Sequence, residues 1–310
     1  MTSPLVYLGL DVAKASLAGH LCGTGFSLPN DPAGHAALCK RVAQHGAPVH
    51  VVCEATGGYE RPVVCALRAA AIPVSVLHPT RVRKLAEGLG FLAKTDSVDA
   101  TALAAIGPRL QPPPTPAPDP GQVLLASLVS RRDQLCELAR MEKQHREMTR
   151  DKVLLRDLDQ NIAALHKRIL KMETLIASHI QAHDHLRAKS SRLLQAPGIG
   201  EVSAAGLLAF LPEIGHGSAS RISSLAGLAP RNRDSGSFHG PRYVHGGRPK
   251  VRRILYLCAL SAARHHPKLQ PFHARLIAAG KPPKLALIAT ARKLLILLHS
   301  SIKNPNFSIA

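Results

Sequence analysis

Apolar residues open the chain in one run, Leu5-Val6-Tyr7-Leu8-Gly9-Leu10, closed by Asp11-Val12. A short apolar run bounded by turn residues predicts a buried strand. Ser16–Cys22 and Gly25–Leu28 read as shorter strands across Gly-rich turns, which predicts an antiparallel meander. The period then changes. Pro32–His45 has helical spacing, Val49–Glu54 reads as a strand, Gly58–Ala71 as a helix, Val74–Leu77 as a strand and Thr80–Leu89 as a helix. Ala100–Ile106 continues a helix that starts at Lys94-Thr95-Asp96. Prolines at 108, 112, 113, 114, 116 and 118 then predict an extended, semi-rigid linker.

Val123–Val153 is again helical and dense in charge, with Leu125, Leu128, Leu135 and Leu138. From Leu155 the apolar positions are Leu155, Leu158, Ile162, Leu165, Ile169, Met172 and Ile176, in alternating steps of three and four. Such a heptad seam fits an antiparallel hairpin within the chain or a coiled coil between chains. Its length favours the second and a homo-oligomer, a dimer or tetramer. Leu194–Val202, with Pro197-Gly198-Ile199-Gly200, has the form of a helix-hairpin-helix turn, in which Gly198 and Gly200 would bring backbone amides to a nucleic-acid phosphate. Ile222–Leu228 leads into a loop-like basic segment around Gly246-Gly247, and Val251–Arg264 returns to a helix. The expected fold class is α/β plus α: a ribonuclease-H-like first domain over 1–110, a Pro-rich linker and coiled-coil connector over 111–190, and a mainly helical domain over 191–310. A Rossmann fold is excluded by the three leading strands, and Gly23-Thr24-Gly25 is too short for a phosphate loop.

Charge sharpens this picture. The net charge is +20 over 310 residues. Residues 215–310 hold 16 Lys or Arg against one acid, Asp234, whereas 1–214 hold 24 against 19. A polyanion partner is therefore expected at the second end, with salt-dependent binding through Arg231, Arg233, Arg242, Arg248, Lys250, Arg252 and Arg253. Six cysteines without a CxxC pair read as reduced core residues of a cytoplasmic protein. The apolar stretch 284–299 carries Arg292 and Lys293 in its middle, which argues against a membrane span.

Two sets of residues carry candidate chemistry. Asp11 and Glu54 end their strands, and Asp96 and Asp99 are three apart on one helix face. If those strands are neighbours, four carboxylates meet and repel, which a pair of divalent ions relieves while clamping both oxygens of a phosphodiester. Ser235 sits in Ser235-Gly236-Ser237-Phe238-His239-Gly240, beyond which no acid follows. A hydroxyl there is a candidate nucleophile on phosphorus, with Ser237 as its rival.

These motifs resemble one family. Gly9-Leu10-Asp11-Val12-Ala13-Lys14, Glu54-Ala55-Thr56-Gly57, Lys94-Thr95-Asp96-Ser97-Val98-Asp99-Ala100, Pro197-Gly198-Ile199-Gly200, Gly227-Leu228-Ala229-Pro230 and Ser235-Gly236 with Gly240 are similar to a DEDD transposase of the insertion-sequence one-ten family, related to Piv-type DNA invertases. Val244-His245-Gly246-Gly247-Arg248 with Val251-Arg252-Arg253 resembles its eleven-eleven subgroup. The resemblance implies a RuvC-like domain whose acids Asp11, Glu54, Asp96 and Asp99 bind Mg2+ (or Mn2+), and Ser235 as the serine of the transposase domain. It also implies donor and target DNA as partners, and a structured non-coding RNA from the element as guide. Two other readings stay open: a hydrolytic RuvC-like nuclease such as a junction resolvase, and a non-catalytic nucleic-acid-binding regulator.

Overall fold

The computed structural model describes residues 4–92, 95–232, 234–236, 238–240, 243–304 and 306–309, with the backbone alone for Asp234, Ser235, Phe238 and His239. The chain divides into two units, residues 1–117 and 118–310.

In the first unit the opening apolar run is β1 (Val6–Val12), followed by β2 (Ser16–Leu21), β3 (Thr24–Pro29), α1 (Pro32–Ala43), β4 (Val49–Glu54), α2 (Arg61–Ala69), β5 (Val74–Leu77), α3 (Pro79–Gly88) and α4 (Asp96–Leu110). The sheet order is β3-β2-β1-β4-β5. β1, β2 and β3 form the expected antiparallel meander, and β4 and β5 add parallel strands on the other side. This mixed sheet fits the ribonuclease-H-like expectation.

Alternation along the strands assigns the two faces. Leu8, Leu10, Val51 and Cys53 point to one face, where they pack with Leu38 of α1 and Val63 and Leu67 of α2. Val52 points to the other, against Leu103 and Ile106 of α4. Gly9 lies on that second face because α4 comes very close: a Cβ at Gly9 would lie 2.0 Å from the Ala100 carbonyl oxygen. Gly107 plays the reciprocal part over Tyr7, where a Cβ would lie 2.5 Å from the ring. Helix α4 therefore runs antiparallel to β1, with its C-terminal turns over Tyr7 and its first turn toward the β1 C-terminus.

The proline segment, expected as an extended, semi-rigid linker, is extended but belongs to the first unit as far as residue 117. Helix α4 continues through Pro108 to Leu110 and ends on Gln111 at φ 42°. The stretch after it lies along β5: Thr115 N–H donates to Val74 O (2.9 Å), Val76 N–H to Thr115 Oγ1 (2.9 Å) and Ser75 Oγ to Pro113 O (2.8 Å). β5 is the sheet edge, whose open backbone groups need partners. Prolines offer carbonyls without a competing N–H.

The second unit begins with α5 (Pro120–Met148) and α6 (Lys152–Ala182). The helix expected through Val153 breaks at Thr149–Asp151, and Asp151 caps α6 by accepting from Val153 N–H and Leu154 N–H. A connection this short makes the two helices antiparallel neighbours. Arg146 pairs with Asp159 near the turn and Arg132 with Glu173 farther along. Between them Leu135 and Ala139 of α5 bury against Leu165, with Ile169 and Met172 alongside. The seam expected to join protomers is thus filled within the chain. Periodicity alone cannot tell these pairings apart, because both bury the same stripe.

Helices α7 (Asp184–Leu194), α8 (Glu201–Phe210), α9 (Ala219–Leu225), α10 (Pro249–His265), α11 (Gln270–Ala278) and α12 (Pro283–Lys303) complete the unit. Leu125, Val129, Ile176 and Ile180 join Leu207, Leu255 and Leu294 in its large core. By length and composition α12 is apolar enough to cross a membrane, but Ala291, Leu294, Leu295 and Leu298 are buried in that core. Between α9 and α10 the chain forms two small ladders, β6 (Pro230–Arg231) with β9 (Tyr243–Val244) and β7 (Asp234–Ser235) with β8 (Phe238–His239).

Candidate active site

Strand register in the first unit sets two of the four acids next to each other, and helix α4 turns the other two toward them. Leu10 pairs with Cys53 in the parallel β1–β4 ladder, so Asp11 and Glu54, one residue farther on each strand, stand side by side. Both share the α4 face, Asp11 two residues beyond Gly9 and Glu54 two beyond Val52. Helix α4 delivers Asp96 and Asp99 there from its first turn. Its cap is Thr95, whose side chain accepts from Val98 N–H at 3.3 Å. Asp96 is therefore released from a capping role.

Electrostatics registers the convergence. The Asp11 carboxyl is pushed up from 3.8 to about 6, first by burial and then by the charges of Asp96, Asp99 and Glu54, against a lowering hydrogen bond from the Val12 backbone. Among the described residues, the charges that shift it are those of three carboxylates. Among the described residues no group of three or more Asp, Glu, His or Cys side chains stands close enough together to hold a metal ion as placed. The donor set is nevertheless that of a hard cation, carboxylate oxygen alone, and the raised Asp11 marks where positive charge would be most favourable.

Two side chains away from the acids fix the loops that follow them. Asn30 Nδ2 donates to Ala13 O (2.8 Å), beyond Asp11, and to Tyr59 O (3.2 Å), beyond Glu54. The buried Glu60 carboxylate accepts from Thr56 N–H (3.1 Å), Thr56 Oγ1 (3.0 Å) and Gly58 N–H (2.8 Å). Glu54 and Asp99 also line a cavity of about 310 Å³, whose other wall includes Thr80, Arg83, Phe91 and Leu92. Sequence reasoning missed these residues. The available signal was an apolar pair, Phe91-Leu92, just after Gly88-Leu89-Gly90 and behind the basic residues Arg81, Arg83 and Lys84.

In the second unit Ser235 lies on β7, opposite Phe238 of β8. Gly236, at φ 54° and with open space where a Cβ would stand, begins the turn between them. Ser237, Arg233 and Arg242 lie outside the described residues. The other basic candidates separate by role. Arg248 makes a two-pronged pair with Glu213 (2.6 Å each) and donates to Phe210 O (3.0 Å). Burial raises the Glu213 carboxyl, but the Arg248 bonds and charge outweigh it, and the net shift is downward. Arg252 donates to Gly246 O (2.8 Å) and Gly227 O (3.3 Å), tying together two glycine turns. Lys250 stands over the Phe210 ring (4.4 Å) and near Asp133 (3.8 Å). Arg231 and Arg253 are both exposed. Gly198, at φ 96°, is pressed against α10, where a Cβ would lie 3.0 Å from Cys258 O; Gly200 is open and begins α8 without a side-chain cap.

Comparison with known proteins matches this layout in order. Residues 8–150 match a family model described as a transposase, of the DEDD IS110 type, and residues 190–274 match the transposase IS116/IS110/IS902 family. The chain belongs to the IS110 family of transposases. It is thus an enzyme of the transposase or DNA recombinase class. The family assignment spans both units, covering the strands with Asp11 and Glu54, the first turn of α4, and the segment with Ser235. Among the family's relatives, the pilin gene-inverting proteins of Moraxella lacunata and Moraxella bovis are each 28% identical over 315 residues, covering 96% of this chain and 95% of theirs. The insertion element IS110 43.6 kDa protein of Streptomyces coelicolor is 29% identical over 160 residues, covering 50% of this chain and 38% of its own.

Proposed function

We propose that the chain cuts and rejoins DNA with Asp11, Glu54, Asp96 and Asp99 as the holders of Mg2+ (or Mn2+) and Ser235 as the covalent nucleophile. One observation carries this reading: Asp11, on a strand next to that of Glu54, feels the charges of Glu54 and of Asp96 and Asp99 from the first turn of α4, in a chain of the IS110 transposase family. A divalent ion bound there would offset the repulsion and stabilise charge on the attacking and leaving oxygens. Asp11 and Glu54 would hold it from the strand ends, and Asp96 and Asp99 from α4.

Ser235 Oγ attacks the scissile phosphorus and gives up its proton to solvent. The sugar oxygen leaves and is protonated to a hydroxyl. The phosphoserine bond conserves the free energy needed to rejoin strands. Its neighbour Gly236 leaves room for a phosphate, and the Ser-Gly-x-x-x-Gly spacing to Gly240 fits Ser235 and not Ser237. Arg231, Arg233, Arg242 and Arg253 supply positive charge for the DNA backbone, and Gly200 offers amides at the start of α8.

In functional terms, 1–110 is the carboxylate domain, 111–190 the connector and 191–310 the serine domain. Exchange between duplexes calls for more than one active site, hence a homo-oligomer joined elsewhere than along the filled seam. The resemblance to the eleven-eleven subgroup and to RNA-guided members adds a structured guide RNA, for which the basic second unit offers a surface, and a cytoplasmic setting beside DNA. The relatives named for pilin gene inversion favour DNA inversion or transposition as the outcome.

The test is to trap the protein on a labelled plasmid carrying its own flanking DNA, digest it and find the modified peptide. The adduct is expected on Ser235 and lost in Ser235→Ala. An adduct on Ser237 refutes the assignment, and cleavage without any adduct makes the enzyme a hydrolytic nuclease.

A further inference from the structure

The cavity beside Glu54 and Asp99 has a second wall whose chemistry differs from theirs. Its Leu92 is 85% exposed, the largest exposure of any bulky apolar side chain among the described residues. Phe91 is half-buried beside it, its backbone N–H held by Ala86 O at 3.0 Å. An apolar pair at the mouth of a carboxylate cavity needs an apolar surface to cover it. The adjoining helix α3 presents Arg81, Arg83 and Lys84, all exposed, with Glu87 as its one acid. Arg83 holds Glu87 at 3.1 Å, but these side chains are 69% and 52% exposed. An exposed helical pair of this kind is weak, so a phosphate can take the place of Glu87.

A nucleotide joins these two demands in one molecule, a flat base with an apolar face and a phosphate beside it. A paired duplex keeps its base faces stacked inward, so the partner must be unpaired. A volume of about 310 Å³ is at the small end of ligand pockets, suited to one such unit and too small for a base pair with its backbone. We propose that this wall is a subsite for a single unpaired nucleotide of the DNA strand, next to the phosphate to be cut. Phe91 and Leu92 cover the base, and Arg83 meets its phosphate. The inference rests on the carboxylates being the cleavage centre, and it places a DNA contact in the first unit, away from the basic 215–310 region.

The experiment uses the full chain and a single-stranded oligodeoxynucleotide carrying 5-iodouracil, irradiated in Ca2+ and digested with trypsin. The peptide Leu85–Lys94 is expected to carry adduct. Leu92→Ser, at a solvated position that the fold does not need, is expected to lose most of that label and to recombine a plasmid with the native flanks about tenfold more slowly, within what one base stack contributes. Adducts confined to 215–310, or a Leu92→Ser protein that labels and recombines as wild type, overturn the subsite. An RNA oligonucleotide with 5-iodouridine that labels the peptide where DNA does not makes the occupant RNA and overturns it equally. Asp11→Asn separates the two layers: a variant that still recombines sinks the cleavage centre, whereas an inactive variant with an unlabelled Leu85–Lys94 peptide sinks the subsite alone.

Discussion

Replacing Asp11 by Asn should stabilise the metal-free protein while abolishing recombination. The Asp11 carboxyl is raised from 3.8 to about 6 by burial and by Asp96, Asp99 and Glu54, so it ionises about two pH units later than an ordinary acid. At neutral pH its charged form therefore costs folding about 3 kcal/mol before screening. The side chain is only half-buried, and solvent reduces this to about 1–2 kcal/mol. The sign follows from linkage: the folded state binds the proton more tightly than the unfolded state, so the cost is full above pH 6. It about halves by pH 5 and is gone near the unfolded value of 3.8. Scanning calorimetry in chelator should place the first-unit transition of Asp11→Asn roughly 4–10 °C above wild type near pH 7.5, with a narrower gap at pH 5. Adding Mg2+ at about a hundredfold its Kd should then raise wild type by about 2.7 kcal/mol and the variant by much less. An Asp11→Asn protein no more stable than wild type at pH 7.5, or a gap that persists at pH 4, would refute the carboxylate cluster. Equal stabilisation of both proteins by Mg2+ would refute the metal site.

Gly9→Ala should force α4 off the sheet, since its Cβ would lie 2.0 Å from Ala100 O; a loss of about 1–3 kcal/mol in urea denaturation is expected, together with Mg2+ binding by calorimetry. Normal metal binding in that variant would detach α4 from the site. Arg248→Ala should lower the melting temperature by leaving Glu213 without its partner, yet hardly change the salt slope of oligonucleotide binding, whereas Arg231→Ala with Arg253→Ala should flatten that slope by about two phosphates. A flattened slope in Arg248→Ala alone would put that side chain on the nucleic acid. Ile162→Asp with Ile169→Asp should lose helical circular dichroism, because both lie on the face that α6 packs on α5. Smaller particles in light scattering with helicity intact would return the seam to an interface between chains.

The order of elements in the first unit was readable because each carries its own period: Val49–Glu54 and Val74–Leu77 were placed at the strand ends found, and the meander as three strands. The acids were readable for the same local reason, as each ends a strand or opens a helix. The α4 boundary was misjudged because a proline in the last turn removes only one hydrogen bond, so Pro108 sits inside α4 where it read as linker. The partners of the arginines were not readable, because side-chain type announces charge without its partner. Arg248 and Arg252 are spent on Glu213 and on two glycine carbonyls.

By itself the sequence determined the family, the alternation of strands and helices, the four carboxylates and the concentration of positive charge in the last third. These are properties of residue type and spacing, which act over a few neighbours. Tertiary structure alone decided that β1 and β4 lie side by side in the register that joins Asp11 to Glu54, and that Gly9 lets α4 descend far enough to bring Asp96 and Asp99. It also decided that the heptad stripe is consumed by α5 and that Phe91 and Leu92 line one cavity with Glu54 and Asp99. Those outcomes depend on which of several apolar surfaces meet, and a stripe of Leu and Ile has the same transfer free energy against any of them.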